Sequence, residues 1–142
     1  MTMIAYPPPS GFRGRLYLAA SLGTFTPVVT PHYASVCHAV RAWFPAATLI
    51  EARTAFTSNA DWLARWPGVL ATLAGLVFLA DDDGYIGRGV LREVMDAEAT
   101  VLPVWYCDDG SALHPRDALT IRTDPYGDWR HFATVAPAAG VH

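Results

Sequence analysis

Three consecutive stretches decide the fold: Gly75-Leu76-Val77-Phe78-Leu79-Ala80, then Asp81-Asp82-Asp83-Gly84, then Gly87-Arg88-Gly89-Val90-Leu91-Arg92-Glu93-Val94-Met95-Asp96-Ala97. An unbroken apolar run closed by a turn reads as a strand covered on both faces. The acidic stretch is that turn, and a glycine-rich start then opens a helix from about Gly87 to Ala99. On a helical wheel Val90, Leu91, Val94 and Met95 share the core face, with Arg88, Arg92 and Asp96 opposite. Glu93 falls at the border, in a row with Gly89 and Ala97. A lone carboxylate is thereby aimed past the end of a buried strand.

Working outward, Leu16-Tyr17-Leu18-Ala19-Ala20 is another continuous apolar run and predicts a strand. His32 to Phe44 carries Val36, Cys37, Val40 and Trp43 at helical spacing, and Pro45 stops it. Ala47 to Ala52 predicts a second strand. Ser58-Asn59-Ala60-Asp61 opens a helix, with Ser58 or Asn59 as cap and Asp61 in the first turn. Trp62, Trp66, Leu70 and Leu73 continue it at three- and four-residue steps, and Pro67 is expected to kink or restart it. Pro103 to Cys107 predicts a further strand. Leu119 to Thr123 alternates as a half-exposed edge strand does, and Phe132 to Val135 adds a short extended piece.

Strands alternating with helices predict a three-layer, Rossmann- or flavodoxin-like α/β domain with a mainly parallel sheet of about five strands. Residues 1–14 read as a proline-rich leader and 15–142 as a single domain. Ligands of such sheets bind beyond the carboxyl ends of the strands. That rim collects Ala20-Ser21, Glu51 to Arg53, Asp81 to Gly89, and Asp108.

Composition narrows the function. The chain has 142 residues, is 52% hydrophobic and 16% charged, and carries a net charge of -3. All of its basic residues are arginines, and none cluster, which argues against a nucleic-acid polymer as partner. Cys37 and Cys107 lie far apart outside any metal-binding or redox spacing, so free thiols are expected. Met1 to Arg15 lacks the basic-then-apolar pattern of a targeting leader, and the longest apolar run, Val69 to Ala80, is too short for a bilayer. No membrane association, and a cytoplasmic location, are the expectations. Neither cofactor nor metal is implied: the histidines show no ligand spacing, and Asp81 to Asp83 read as a solvated turn.

Glu93 is therefore the candidate centre. A partly buried carboxylate in a cleft can serve as nucleophile, base or oxocarbenium stabiliser. The plainer alternative is a surface residue paired with Arg88 or Arg92. Trp62, Trp66, Trp105 and Trp129 suit core packing or stacking on a base. Ser21 can donate to a ligand from its strand end, or merely cap a loop.

With these residues in place the chain resembles the nucleoside 2-deoxyribosyltransferase family, including relatives that hydrolyse nucleoside 5'-monophosphates. Leu16-Tyr17-Leu18-Ala19-Ala20-Ser21 is similar to that family's first strand, and Gly75 to Ala80 to its buried third strand. Gly87-x-Gly89-x-x-x-Glu93-x-x-x-Ala97, followed by Thr100-Val101-Leu102-Pro103-Val104, is similar to its glutamate-bearing helix and the strand after it. The likeness spans roughly Arg15 to Cys107. It implies transfer or hydrolysis at the N-glycosidic bond of a nucleoside or nucleotide. Glu93 would be nucleophile, Tyr17 would orient it by a hydrogen bond, and Asp81 would act at the strand end. The resemblance also implies a homodimer or larger assembly, while place at the strand ends and helix starts makes Ser21, Asp61, Gly87 and Gly89 the candidates to bind substrate.

The chain departs from the pattern at Gly87, where the transferases carry an acid, and at Pro67 and Gly75, where the family has aspartates. Asp61 or one of Asp81 to Asp83 would then supply the acid. The rival expectation is a non-catalytic module of the same fold that binds a nucleotide or sugar-phosphate at the Gly87–Gly89 helix start. A third is an interaction protein whose tryptophan-rich helix meets a partner.

Overall fold

The computed structural model describes residues 6–20, 30–80, 84–108, 112–123 and 131–135. Strand β1 (Gly14–Ala20) leads through helix α1 (Pro31–Trp43) to β2 (Ala47–Glu51). The short α2 (Ala52–Ala55) and then α3 (Asn59–Leu70) return the chain to β3 (Gly75–Leu79), and α4 (Arg88–Ala99) carries it on to β4 (Val104–Asp108). β5 (Ala112–Pro115), β6 (Leu119–Thr123) and β7 (His131–Val135) complete the described elements.

The central sheet runs β2-β1-β3-β4-β5. Its β1–β2, β1–β3 and β3–β4 pairs are parallel, and β5 joins β4 antiparallel. The fold is thus α/β with a five-stranded, mostly parallel sheet flanked by helices, a Rossmann- or flavodoxin-like arrangement. Successive strands are added on one side of β1 and then, from β3, on the other, so the topological switch point lies at the carboxyl ends of β1 and β3.

Two hydrophobic clusters sandwich the sheet. Leu16, Leu18, Val77, Leu79, Trp105 and Cys107 pack with Tyr33, Val36, Cys37 and Val40 of α1. On the other face Tyr17, Ala19, Leu76, Phe78, Val104 and Tyr106 meet Phe56, Trp66 of α3, and Val90, Val94 and Ala97 of α4. Successive residues of β1 and β3 alternate between the clusters, which is why both strands are apolar throughout. No helix among the described residues is long and apolar enough to cross a membrane.

Several expectations need correction. Helix α3 is continuous through Pro67. Proline removes one amide, and the carbonyl that loses its helical partner, four residues back, belongs to Leu63, an exposed residue. β2 ends at Glu51, and Ala52 already belongs to α2. Leu119–Thr123 is the expected half-exposed edge strand, but it pairs with β7 in a separate two-stranded antiparallel sheet, not with the main one. The main sheet is bounded by β2 and β5, and β5 was not anticipated. Met95 is 58% exposed instead of sharing the core face.

The proline-rich leader is not an appendage. Phe12 is buried and packs edge-on against Phe44 and Trp105, at centroid distances of 5.6 and 5.7 Å. The Tyr6 hydroxyl donates to the Val104 carbonyl at 2.9 Å, and its ring packs edge-on against Trp105 at 5.2 Å.

Candidate active site

Two elements bring the site together. Tyr17 is central in β1, in register with Ile50 and Leu76, and its side chain enters the face covered by α3 and α4. Glu93 comes from the second turn of α4, whose axis starts at the carboxyl end of β3. Side chains on a helix lean toward its amino end, so Glu93 leans back toward the rim.

Glu93 is 4% exposed, and no other charged residue among the described residues is buried. The Tyr17 hydroxyl donates to its Oε2. Trp62 of α3, half-buried, donates its indole Nε1–H to the same oxygen at 3.0 Å. Burial pushes the Glu93 carboxyl up to about 7, even though the Tyr17 and Trp62 donors hold it down; the nearby Asp96 adds to the rise. Burial also pushes the Tyr17 phenol far above its usual range, with Glu93 reinforcing the shift, so this hydroxyl stays protonated and able to donate.

The surface-pair alternative does not describe Glu93. Arg92 donates instead to Asp96, at 3.1 Å, in an i,i+4 pair. Asp96 also accepts from the Trp66 indole at 2.9 Å. Trp62, Trp66, Pro67, Leu70, Arg92 and Asp96 contribute to a small cleft of about 100 Å³ between α3 and α4. Trp66 further packs on the Tyr17 ring at 4.9 Å.

The remaining candidates fall elsewhere or outside the description. Ser21 and Asp81 lie outside the described residues, as do residues 22–29, 82–83 and 109–111. Asp61 is occupied at the start of α3. Its Oδ2 accepts from the Thr57 backbone amide at 2.9 Å and pairs with Arg65 at 2.9 Å. Its backbone amide donates to Ser58, the cap. The Thr57 amide, with Arg65 and the Thr57 hydroxyl, holds its carboxyl below the usual range against the opposing effect of desolvation. Gly87 caps α4 with no side-chain hydrogen bond, and Gly89 faces open space.

Gly75 occupies a position where the resemblance placed an aspartate, and packing explains why. A Cβ there would sit 2.9 Å from the Phe12 ring and 3.2 Å from Trp105. Any side chain would displace the aromatic cluster beneath the sheet.

Sequence reasoning missed two features. Trp62 was weighed for stacking or core packing, not as a donor to Glu93. The signal was its helical step from Trp66, which places both indoles on one face. The second feature is a network around Glu51 at the end of β2. It accepts from the Tyr33 hydroxyl at 2.8 Å, Arg53 at 3.1 Å and Arg41 at 3.2 Å. The Cys37 thiol lies 3.6 Å away, and burial together with Glu51 pushes it up to about 11. Cys37 and Cys107 are both free and buried. Among the described residues no His, Cys, Asp or Glu cluster could hold a metal ion. No family model matches this chain, and no curated protein or solved structure matches it either.

Proposed function

We propose that the protein cleaves or transfers at the N-glycosidic bond of nucleosides or nucleoside 5'-monophosphates, with Glu93 as nucleophile. One observation carries the reading: a buried carboxylate on one face of a parallel sheet, with one oxygen held by two donors from two different elements. The resemblance of this helix and of β1 to the nucleoside 2-deoxyribosyltransferase family supports it.

In the proposed reaction Oε1 of Glu93 attacks C1' of the pentose. The C1'–N bond breaks, its electron pair leaves with the base, and a general acid protonates the base. Asp81 is assigned this acid role from its place directly after the β3 run. The glycosyl ester then yields to water or to a second base, which attacks C1', loses a proton and frees the carboxylate. Two displacements retain the configuration at C1'. Tyr17 and Trp62 hold the carboxylate throughout. With the resemblance comes a homodimer or larger assembly, which sedimentation velocity measures directly.

Incubation with deoxynucleosides and their 5'-monophosphates, with and without an acceptor base, separates transfer from hydrolysis by chromatography. Glu93→Ala is expected to lower turnover roughly a thousandfold or more. Full activity in that variant removes Glu93 from the mechanism.

A second reading is a binding module for a nucleotide or sugar-phosphate without turnover. Its support is the glycine-rich start of α4 at Gly87 and Gly89, where the helix dipole favours an anionic group. In that case nucleotides raise the melting temperature while chromatography shows no product.

A further inference from the structure

We propose that Trp62 is a positioning residue for Glu93, the contact that selects the charged form of the carboxylate and fixes which of its oxygens faces the ligand. This rests on Glu93 being the nucleophile, but it is tested without turnover.

Two donors reach Oε2, and they differ in what they tolerate. A tyrosine hydroxyl donates or accepts, so Tyr17 can stay bonded to Glu93 whether the carboxyl is charged or neutral. An indole N–H only donates. Its bond to Oε2, at 3.0 Å, is therefore strongest with the carboxylate and is weakened when a proton settles on that oxygen. Trp62 thus reads the charge of Glu93, whereas Tyr17 mainly orients it. With Oε2 held from both β1 and α3, the carboxylate cannot rotate freely, and Oε1 becomes the attacking oxygen.

The position of the indole is itself secured one helical turn away. Trp66 is buried, donates to Asp96 on α4 at 2.9 Å and packs on the Tyr17 ring. Trp62 and Trp66 on α3 thus meet Glu93 and Asp96 on α4 as two rungs of one ladder, each pair sharing a helix face. Among the described residues the groups bearing on Glu93 are Tyr17 from β1, Trp62 from α3 and Asp96 along α4. Of these Asp96 opposes ionisation and is itself engaged by Arg92 and Trp66.

The test follows the Trp62 indole N–H resonance of the wild-type protein from about pH 5 to about pH 9, spanning the titration of a raised carboxyl. The resonance is expected to move with a single midpoint that disappears in Glu93→Gln. In Trp62→Phe the labelled Glu93 carboxyl carbon should titrate about one pH unit higher. Where turnover is present, the acid limb of kcat/KM should move with it. An indole signal flat with pH, or an unchanged Glu93 midpoint in Trp62→Phe, overturns the proposal. The wild-type arm needs no core substitution, so it reports even if Trp62→Phe does not fold. Titration without turnover upholds the positioning and removes the glycosidic reading.

Discussion

A carboxylate sealed from solvent ionises only as far as donors replace the water it has lost. For Glu93 the two donors fall short, and its titration is raised from 4.5 to about 7. Over that interval the folded protein holds a proton that the unfolded chain has released. The stabilisation is complete below about pH 4.5 and is lost as pH rises to about 7, by up to about 3 kcal/mol. Urea denaturation should therefore show Glu93→Gln gaining on wild type between pH 4.5 and 7; parallel profiles would mean that Glu93 titrates normally. Glu51 behaves in the opposite sense. Burial alone would raise it, but the Tyr33 hydroxyl and Arg53 outweigh that and keep it ionised. The border position of Glu93 on an apolar helix was legible because any charged residue so placed is either half-buried or functional. Its partnership with Trp62, 31 positions away, was not legible. It depends on how α3 and α4 are rotated against each other, and a single chain's pattern leaves that angle open.

Helix α4 ends in a way that its sequence makes costly. The Leu102 amide donates to the Ala97 carbonyl at 3.0 Å and the Val101 amide to Glu98 at 2.9 Å, a Schellman closure. The closure requires a left-handed residue, and here it is Val101, with φ 61°. A β-branched side chain is strained there, and Val101 is 55% exposed, so removing it forfeits little burial. Val101→Gly should raise stability by ~1 kcal/mol in urea denaturation, after allowance for the freer unfolded chain. A loss instead would mean that the valine packs more than its exposure indicates. Element type was largely readable from apolar runs and helical spacing. Assignment to a sheet was not: alternation in Leu119–Thr123 reveals that one face is covered, not which strand lies alongside. β5 escaped notice because Ala112–Pro115 is short and carries His114 and Pro115 instead of the branched residues that mark strands.

At the scale of the molecule, the alternation of strand and helix led to a mainly parallel sheet of about five strands, though not to its β2-β1-β3-β4-β5 order or to its fifth member. Right-handed crossovers leave few other arrangements for such a pattern. The prolines of the leader drew the reading away from Tyr6 and Phe12, whose side chains tie it to the fold. Phe12, Phe44 and Trp105 form a mutual edge-to-face cluster, and Gly75 is small so that this cluster can close. Phe12→Ala should cost about 3–5 kcal/mol by thermal or chemical denaturation. A cost below about 1 kcal/mol would mean that the docked segment adds little to the core. The docked leader also polarises the molecule. Tyr6 is tied to Val104, the first residue of β4, and Gly11–Gly14 runs into the start of β1, so this segment lies at the pole opposite the strands' carboxyl ends. A fluorophore or surface tether attached at exposed Ser10 would therefore sit at the far pole from the rim where we propose substrate binds, and an immobilised sample would turn that rim to the flowing solution.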